Sequence, residues 1–277
     1  MRTLPAPSGV PPEIQDAWDR AGARLGVFAV GLRCFSTLTS TNDLAMRLAE
    51  ADADEGTVIL ADAQTAGRGR RGREWFSPVG SGIYVSVVLR PRGESPQFPH
   101  WLASRLTLTA GVALAEGVRI STGLPVELKW PNDLVVGRRK LGGILTEMST
   151  TGAEHPAVVV GIGINVRLTA YPLILASVAT SLEAELGRPI DRAPVLVETL
   201  AALATRYQEL RNARFDAILS AWRAFAPSLR GAPIEWDSPE GIVRGQAIDL
   251  DDDGALLART GEVVTRLVAG EVRWNRN

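Results

Sequence analysis

The chain has 277 residues, 45% of them hydrophobic, with 30 Lys and Arg against 31 Asp and Glu. That length builds one large core and a small second one, and a net charge of −1 excludes bulk attraction to nucleic acid or anionic membrane, leaving any polyanion to a local cluster. The single cysteine, Cys34, excludes an internal disulfide, and two histidines, His100 and His155, are too few for a Cys/His zinc site, while a carboxylate-bound hard cation stays open.

The first twelve residues are proline-rich without an apolar h-region, and no apolar run reaches the length of a membrane span, so a soluble, cytoplasmic protein is expected. Pro11 and Pro12 suit a helix start, and Ile14, Ala17, Trp18 and Ala21 fall on one face of a short helix over 13–23. The stretch before the first strand, at 31–35, is too short for a complete winged-helix DNA-binding domain. Ser40 opens a helix with Asp43 three residues on, an acidic variant of the capping box, which Leu44, Met46, Leu48 and Ala49 continue.

Strands at 57–61 and 83–89 follow, separated by a glycine-and-arginine loop over 65–73. Leu102, Leu106, Ala110, Ala113 and Leu114 stripe a helix, and further strands read at 126–130, 134–136, 141–148 and 157–166. Several are joined by turns too short for a helix, which predicts an antiparallel or mixed sheet rather than a doubly wound parallel one. Beyond 179 the pattern is helical, with Leu196, Leu200, Leu203, Tyr207 and Leu210, then Phe215, Ile218, Leu219, Trp222 and Phe225. After Pro227, short segments at 234–236, 242–248, 255–258, 263–268 and 272–274, split by Gly, Pro and Asp turns, predict a small appended barrel.

Three constellations carry chemistry. Gln64-Thr65-Ala66-Gly67-Arg68-Gly69-Arg70-Arg71-Gly72-Arg73 lets backbone approach a ligand while guanidinium groups point several ways. Mutual repulsion of these cations makes the loop costly to order unless a phosphate or carboxylate supplies negative charge; a solvated basic loop or an RNA contact is the bland alternative. Lys129-Trp130-Pro131-Asn132-Asp133 displays a cation, an amide and a carboxylate from a corner that Pro131 stiffens, with Trp130 held extended. Lys140 follows at the start of Leu141-Gly142-Gly143-Ile144-Leu145, where a point charge suits an anionic ligand lying flat on backbone, though a strand-start lysine reads the same way. Gly161-Ile162-Gly163-Ile164-Asn165 fails the dinucleotide fingerprint, because Val166 takes the place of the last glycine.

Ser40-Thr41-Asn42, the 64–73 loop, Lys129 to Asp133, Lys140 to Ile144 and Gly161 to Asn165, in this order and spacing, resemble the biotin protein ligases. The resemblance runs from about residue 31 to the C-terminus. It implies an α+β fold: a class II aminoacyl-tRNA synthetase-like catalytic domain over 31–228, a mixed or antiparallel sheet with helices, then a small SH3-like β-barrel over 229–277, with 1–30 as an N-terminal segment carrying a short helix. Members that also repress transcription carry an N-terminal winged helix, so this chain resembles the monofunctional type, with no direct DNA binding and no membrane contact. The implied reaction joins biotin to ATP as biotinyl-5′-adenylate, with Mg²⁺, and then passes biotin to a lysine of a carboxylase's biotin carboxyl carrier domain; the enzyme would be a monomer or homodimer.

Carried over by position, the resemblance implies that Ser40, Thr41, Asn42 and Gln64 bind the ureido head, a polar group whose burial demands partners. It makes Gly67, Arg68, Gly69 and Arg70 the loop that folds over biotin and the adenylate, and Lys140 the lysine at the biotin carboxylate and α-phosphate. Gly143, Gly161 and Gly163 would line the pocket floor; Arg73, Trp75, Asn132 and Asn165 would attend the nucleotide, and Lys129 joins Lys140, Arg70 and Asp133 as a catalytic candidate. Asp133 would orient the incoming lysine or approach Mg²⁺. The linker over 166–178, with Tyr171-Pro172, lacks a tryptophan to stack on adenine.

Other features read as structural. Asp249 to Gly254 matches half a calcium loop, but Thr260 stands where a Glu is needed, so an Asp-Gly hairpin turn is expected. Cys34 reads as core, His100 and His155 as structural or surface, and every tryptophan but Trp75 as packing. The rivals are a lipoate or octanoate ligase of the same fold and a nucleic-acid binder, and from Arg230 on the six arginines against nine acids have the wrong sign for a phosphate groove.

Overall fold

A computed structural model describes residues 5–91, 101–149, 157–167, 172, 175, 177–268, 270 and 272–274. His100, His155, Tyr171 and most of the 166–178 linker lie outside the described residues. The first helix, α1 (Pro12–Ala21), starts on proline and buries Ile14, Ala17, Trp18 and Ala21, as the spacing predicts. It runs into a 3-10 segment, Gly22–Phe28, which the sequence pattern did not announce; Gly22 and Gly26 have positive φ there, and Leu25 and Phe28 reach the core. The Trp18 indole donates to Ala29 O at 2.8 Å, tying the two turns together.

The main sheet comprises β1 (Leu32–Leu38), β2 (Val58–Gln64), β3 (Gly82–Leu89), β4 (Glu127–Lys129), β5 (Asp133–Val136), β6 (Arg139–Ser149) and β7 (Ala157–Asn165), in the order β1-β2-β3-β7-β6-β5-β4. Only β1 and β2 run parallel, joined across α2 (Thr41–Glu50), so the sheet is mixed, as expected. β3 is buried along its whole length because both faces are covered. On one face Ile83, Val85, Val87 and Leu89 join the large core under α3 (Leu102–Thr122) and α5 (Arg192–Arg211), with α4 (Leu182–Leu186) between. On the other, Val88 joins a smaller core with Leu44, Ala45 and Leu48 of α2.

After α6 (Phe215–Ala224) come β8 (Pro233–Ser238), β9 (Gly241–Leu250), β10 (Leu256–Thr260), β11 (Val263–Leu267) and β12 (Val272–Trp274). The expected barrel takes the form of a five-stranded antiparallel sheet, β11-β10-β9-β8-β12, and among the described residues no pairing closes β11 onto β12. Its inner side chains, Ile234, Trp236, Leu250 and Leu256, belong to the same hydrophobic core as the main sheet. Trp130 Nε1 donates to Gly254 O at 3.0 Å and Leu128 N to Phe225 O at 2.7 Å, so the corner after β4 is pinned from this side. The Trp130–Pro131 peptide is cis.

Helices α3 and α5 approach closely at Gly117, where a Cβ would stand 2.4 Å from Thr199 Cα. Helix propensity favours Ala over Gly by about 1 kcal/mol, but the clash is with backbone and the helices must part. Gly117→Ala is therefore expected to destabilise the fold by about 1–3 kcal/mol, seen as a lower urea midpoint; an unchanged or raised midpoint contradicts this packing.

Candidate active site

The site is built where α2 begins beneath the sheet. Ser40 caps the helix, its Oγ accepting from Asp43 N at 3.4 Å, which presents Thr41 and Asn42 in the first turn. Gln64, at the end of β2, accepts from Thr41 N through Oε1 at 2.8 Å and donates through Nε2 to Ser77 Oγ at 2.8 Å. Ser86 of β3, fully buried, lies 2.8 Å from Thr41 Oγ1 and 2.6 Å from Asn42 Oδ1. Asn42 Nδ2 donates to Leu145 O at 3.2 Å and to Glu147 Oε2 at 2.9 Å. Thr41, Asn42, Gln64 and Ser86 thus form one hydrogen-bonded polar wall, with Ser40 beside it as the helix cap.

The arginine loop is a tight hairpin over this wall. Gln64 and Ser77 form its base, Trp75 N donates to Gly67 O at 2.8 Å and Gly69 N to Arg73 O at 2.7 Å. Arg71 (φ +58°) and Gly72 (φ +74°) turn its tip through the left-handed region. Gly67 has no room for a side chain, since a Cβ would meet Trp75 O at 2.3 Å. Protein carboxylates supply part of the negative charge that the loop was expected to need. Arg68 makes a two-pronged pair with Glu147 at 2.9 and 2.6 Å and reaches Asp43 at 2.7 Å, and Arg71 meets Asp237 of β8 at 3.5 Å. Arg70 donates to Asn132 Oδ1 at 3.0 Å, which carries it toward the Lys129–Asp133 corner, and Arg73 is exposed.

Lys140 Nζ stands 2.5 Å from Asp133 Oδ1 and 5.2 Å from the centroid of the Trp75 ring. The indole lies on the glycine floor of β6 and β7: a Cβ on Gly163 would be 2.5 Å from Trp75 Cε2, and one on Gly143 3.3 Å from Cζ3. A Cβ on Gly161 would be 2.0 Å from Asn42 Oδ1. The floor is bare, as expected, but the groups it admits are protein side chains. The buried Trp75 Nε1 has no hydrogen-bond partner among the described residues, an orphaned donor within the site.

Other expected residues work through backbone. Asn132 Nδ2 donates to Ile144 O at 2.9 Å, and buried Asn165 donates to Thr180 O at 3.0 Å and Lys140 O at 3.4 Å, so it secures the strand bearing Lys140. Lys129 lies 5.7 Å from the Trp274 ring, toward the C-terminal sheet. Three contributors escaped the sequence reading: Glu147, Ser86 and Asp237. Glu147 was detectable by period, being two and four residues beyond Leu145 and Gly143 on one face of β6; the partners of Ser86 and Asp237 are set only by the fold.

The calcium-like turn is held by arginines. Arg223 and Arg230 each meet Asp249 at 2.8 Å, and Arg266 pairs with Asp251 and Asp253. Burial pushes the Asp251 carboxyl up, but Arg266 and the Ala255 and Asp253 N–H groups outweigh it and leave its pKa below the ordinary value. A cavity of about 260 Å³ lies on the opposite face of the sheet between Ile14, Leu60, Ile83 and Leu196, and shares no residue with the motifs. Cys34 borders it but is buried, which pushes its thiol to about 11. Since the thiolate is the reactive form, native protein at pH 8 is expected to take up iodoacetamide on the order of a hundredfold slower than urea-unfolded protein; equal rates would contradict this burial.

Residues 34–165 match the biotin/lipoate A/B protein ligase family, and residues 233–272 the biotin protein ligase C-terminal domain. A bifunctional ligase/repressor of Bacillus subtilis is 34% identical over 95% of this chain and 79% of its own length. A biotin--[acetyl-CoA-carboxylase] ligase of Paracoccus denitrificans is 36% identical over 79% of this chain and 90% of its own. Among solved structures, the Aquifex aeolicus biotin protein ligase in complex with biotin and ATP superposes with a TM-score of 0.75 at 30% identity, covering 88% of this chain and 98% of that one. Likeness of this extent, reaching across both sheets and the loop between β2 and β3, is kinship: the chain belongs to the biotin protein ligase family.

Proposed function

We propose that the protein activates biotin with ATP as biotinyl-5′-adenylate and transfers the biotinyl group to a lysine of a biotin carboxyl carrier domain, releasing AMP and pyrophosphate. The carrying observation is that the polar wall of Thr41, Asn42 and Gln64 and the Lys140–Asp133 pair meet across one glycine floor, with the arginine loop over both. A ureido head hydrogen-bonds the wall, and the valeryl chain runs past the Trp75 indole, which covers the floor, toward Lys140. The biotin carboxylate attacks the α-phosphorus and pyrophosphate leaves; Lys140, a point charge beside that phosphorus, offsets the charge that builds there. In the second half-reaction the carrier amine attacks the acyl carbon and AMP leaves, with Asp133 placed to receive the proton or orient the amine. Arg70, fixed by Asn132, spans the adenylate, and Trp75 and Arg73 flank it.

ATP as co-substrate assigns the reaction to the cytoplasm. No helix among the described residues is long and apolar enough to cross a membrane. Mg²⁺ enters as part of the MgATP substrate: Asp133 is paired with Lys140, and the described residues contain no group of three Asp, Glu, His or Cys able to hold a metal unaided.

The deciding experiment is transfer of labelled biotin to a carrier domain with MgATP, with lipoate in a parallel arm; transfer of lipoate and not biotin overturns the reading. Containment of the mixed anhydride depends on the closed loop. Arg70→Gly is therefore expected to release free biotinyl-adenylate several-fold faster than wild type, and release no faster than wild type would sink that role. Lys140→Ala is expected to slow adenylation by on the order of a hundredfold while slowing transfer from preformed adenylate much less. Equal losses in both half-reactions would refute the assignment.

A further inference from the structure

We infer that Glu147 is a positioning residue that sets the hydrogen-bond polarity of the head-group wall and latches the arginine loop onto it. The inference rests on the reading of the wall as the site of the biotin head. The Asn42 amide has two possible orientations, and its surroundings decide between them. On one side lie Leu145 O and the Glu147 carboxylate, both acceptors; on the other lies the Ser86 hydroxyl. Turning the amide over would set Oδ1 against two acceptors, one of them charged, so Nδ2 faces Glu147 and Oδ1 faces Ser86.

The rest of the wall follows from proton counting. Ser86 has one proton, and Asn42 Oδ1 only accepts, so Ser86 donates to Asn42 across 2.6 Å. Ser86 Oγ then accepts from the Thr41 hydroxyl across 2.8 Å. Thr41 Oγ1 also lies 3.2 Å from Gln64 Oε1, but its one proton goes to Ser86 across the shorter 2.8 Å, because two hydroxyl oxygens that close need a proton between them; Gln64 Oε1 therefore takes the Thr41 N–H at 2.8 Å and keeps a lone pair for a ligand N–H. A cyclic urea offers such N–H donors and a dithiolane offers none, so the wall's polarity selects between them. The same carboxylate holds Arg68 with both oxygens, and Asp43, from the first turn of α2, holds it from the other side. The head-group wall and the loop above it thus share one anion.

Glu147→Gln keeps the shape, removes the charge and lets the new amide meet Asn42 in either sense. Two measurements test the inference. In the ligand-free protein, trypsin, which cuts after arginine, is expected to cleave the 68–73 loop about fivefold faster in Glu147→Gln, with Glu147→Asp between it and wild type. The wild-type rate should rise with added salt relative to the variant's, because salt screens an exposed ion pair. In the transfer assay, KM for biotin is expected to rise about tenfold with kcat at saturating biotin within about twofold of wild type. Unchanged cleavage overturns the latch, and unchanged KM or a fall in kcat alone overturns the polarity role. A loss of thermal stability matching the whole effect would likewise refute it. The cleavage arm needs no substrate, so it stands even if biotin transfer fails in wild type, which would overturn the proposed function instead.

Discussion

On one face of β6 and β7, where they run side by side, three positions carry no side chain, and the site exists because of that bare strip. Asn42 reaches the sheet only over Gly161, and the Trp75 indole lies flat only over Gly163 and Gly143. A single methyl at any of the three would meet a neighbour at 3.3 Å or less, and at 2.0 Å over Gly161. On the face toward α3 the same strands send Ile144, Ile162 and Ile164 into the large core. The sheet is therefore a rigid plate with one open window, and groups from α2, the arginine loop and β6 converge on it.

Electrostatics then arranges what converges. Cations packed into one short loop repel one another, and three of them are drawn to different protein partners: Arg68 takes Glu147 and Asp43, Arg70 takes Asn132, Arg71 takes Asp237. Exposed pairs of this kind contribute little to stability, about 0–1 kcal/mol each. Their value is geometric, because each draws the loop toward a different element: α2 and β6, the corner after β4, and the C-terminal sheet. Lys140 is drawn the same way to Asp133, and its backbone is bracketed by the Val178–Thr180 segment, with Lys140 N donating to Val178 O at 2.9 Å and Thr180 N to Lys140 O at 2.8 Å. A lysine at a strand start becomes a fixed charge by being held at both ends.

The C-terminal sheet acts on the site through the corner that bears Asn132 and Asp133. Trp130 is buried and bonded to Gly254, while Leu128 is bonded to Phe225, so the turn between β4 and β5 is clamped against both the last helix and the second sheet. Asp237 meets the loop tip directly. These contacts give the appended unit a part in shaping the site, beyond closing the hydrophobic core.

Much of this was legible in the order of residues. Apolar and β-branched runs bounded by turns placed the twelve described strands, and period-3.6 stripes placed the longer helices, since a helix buried on one face leaves its period in the sequence; α1 buries the four residues its spacing named. Through the resemblance they carry, the motifs pointed to the residues of the polar wall, the glycine floor and Lys140; glycine spacing and clustered charge by themselves said only that backbone is approached closely and that the arginine loop meets an anion. What the order of residues did not contain was pairing. That Arg68 would spend its charge on Glu147, that Asn165 would bond the strand rather than stand apart from it, that Lys129 would face Trp274, and that Ser86 would complete the wall are facts about residues far apart in the chain. The sequence by itself determined which chemical groups the protein owns and which surfaces must be buried; tertiary structure alone decided which charge meets which, because hydrogen bonds and ion pairs depend on distances of a few ångströms that only the packed sheet and helices define.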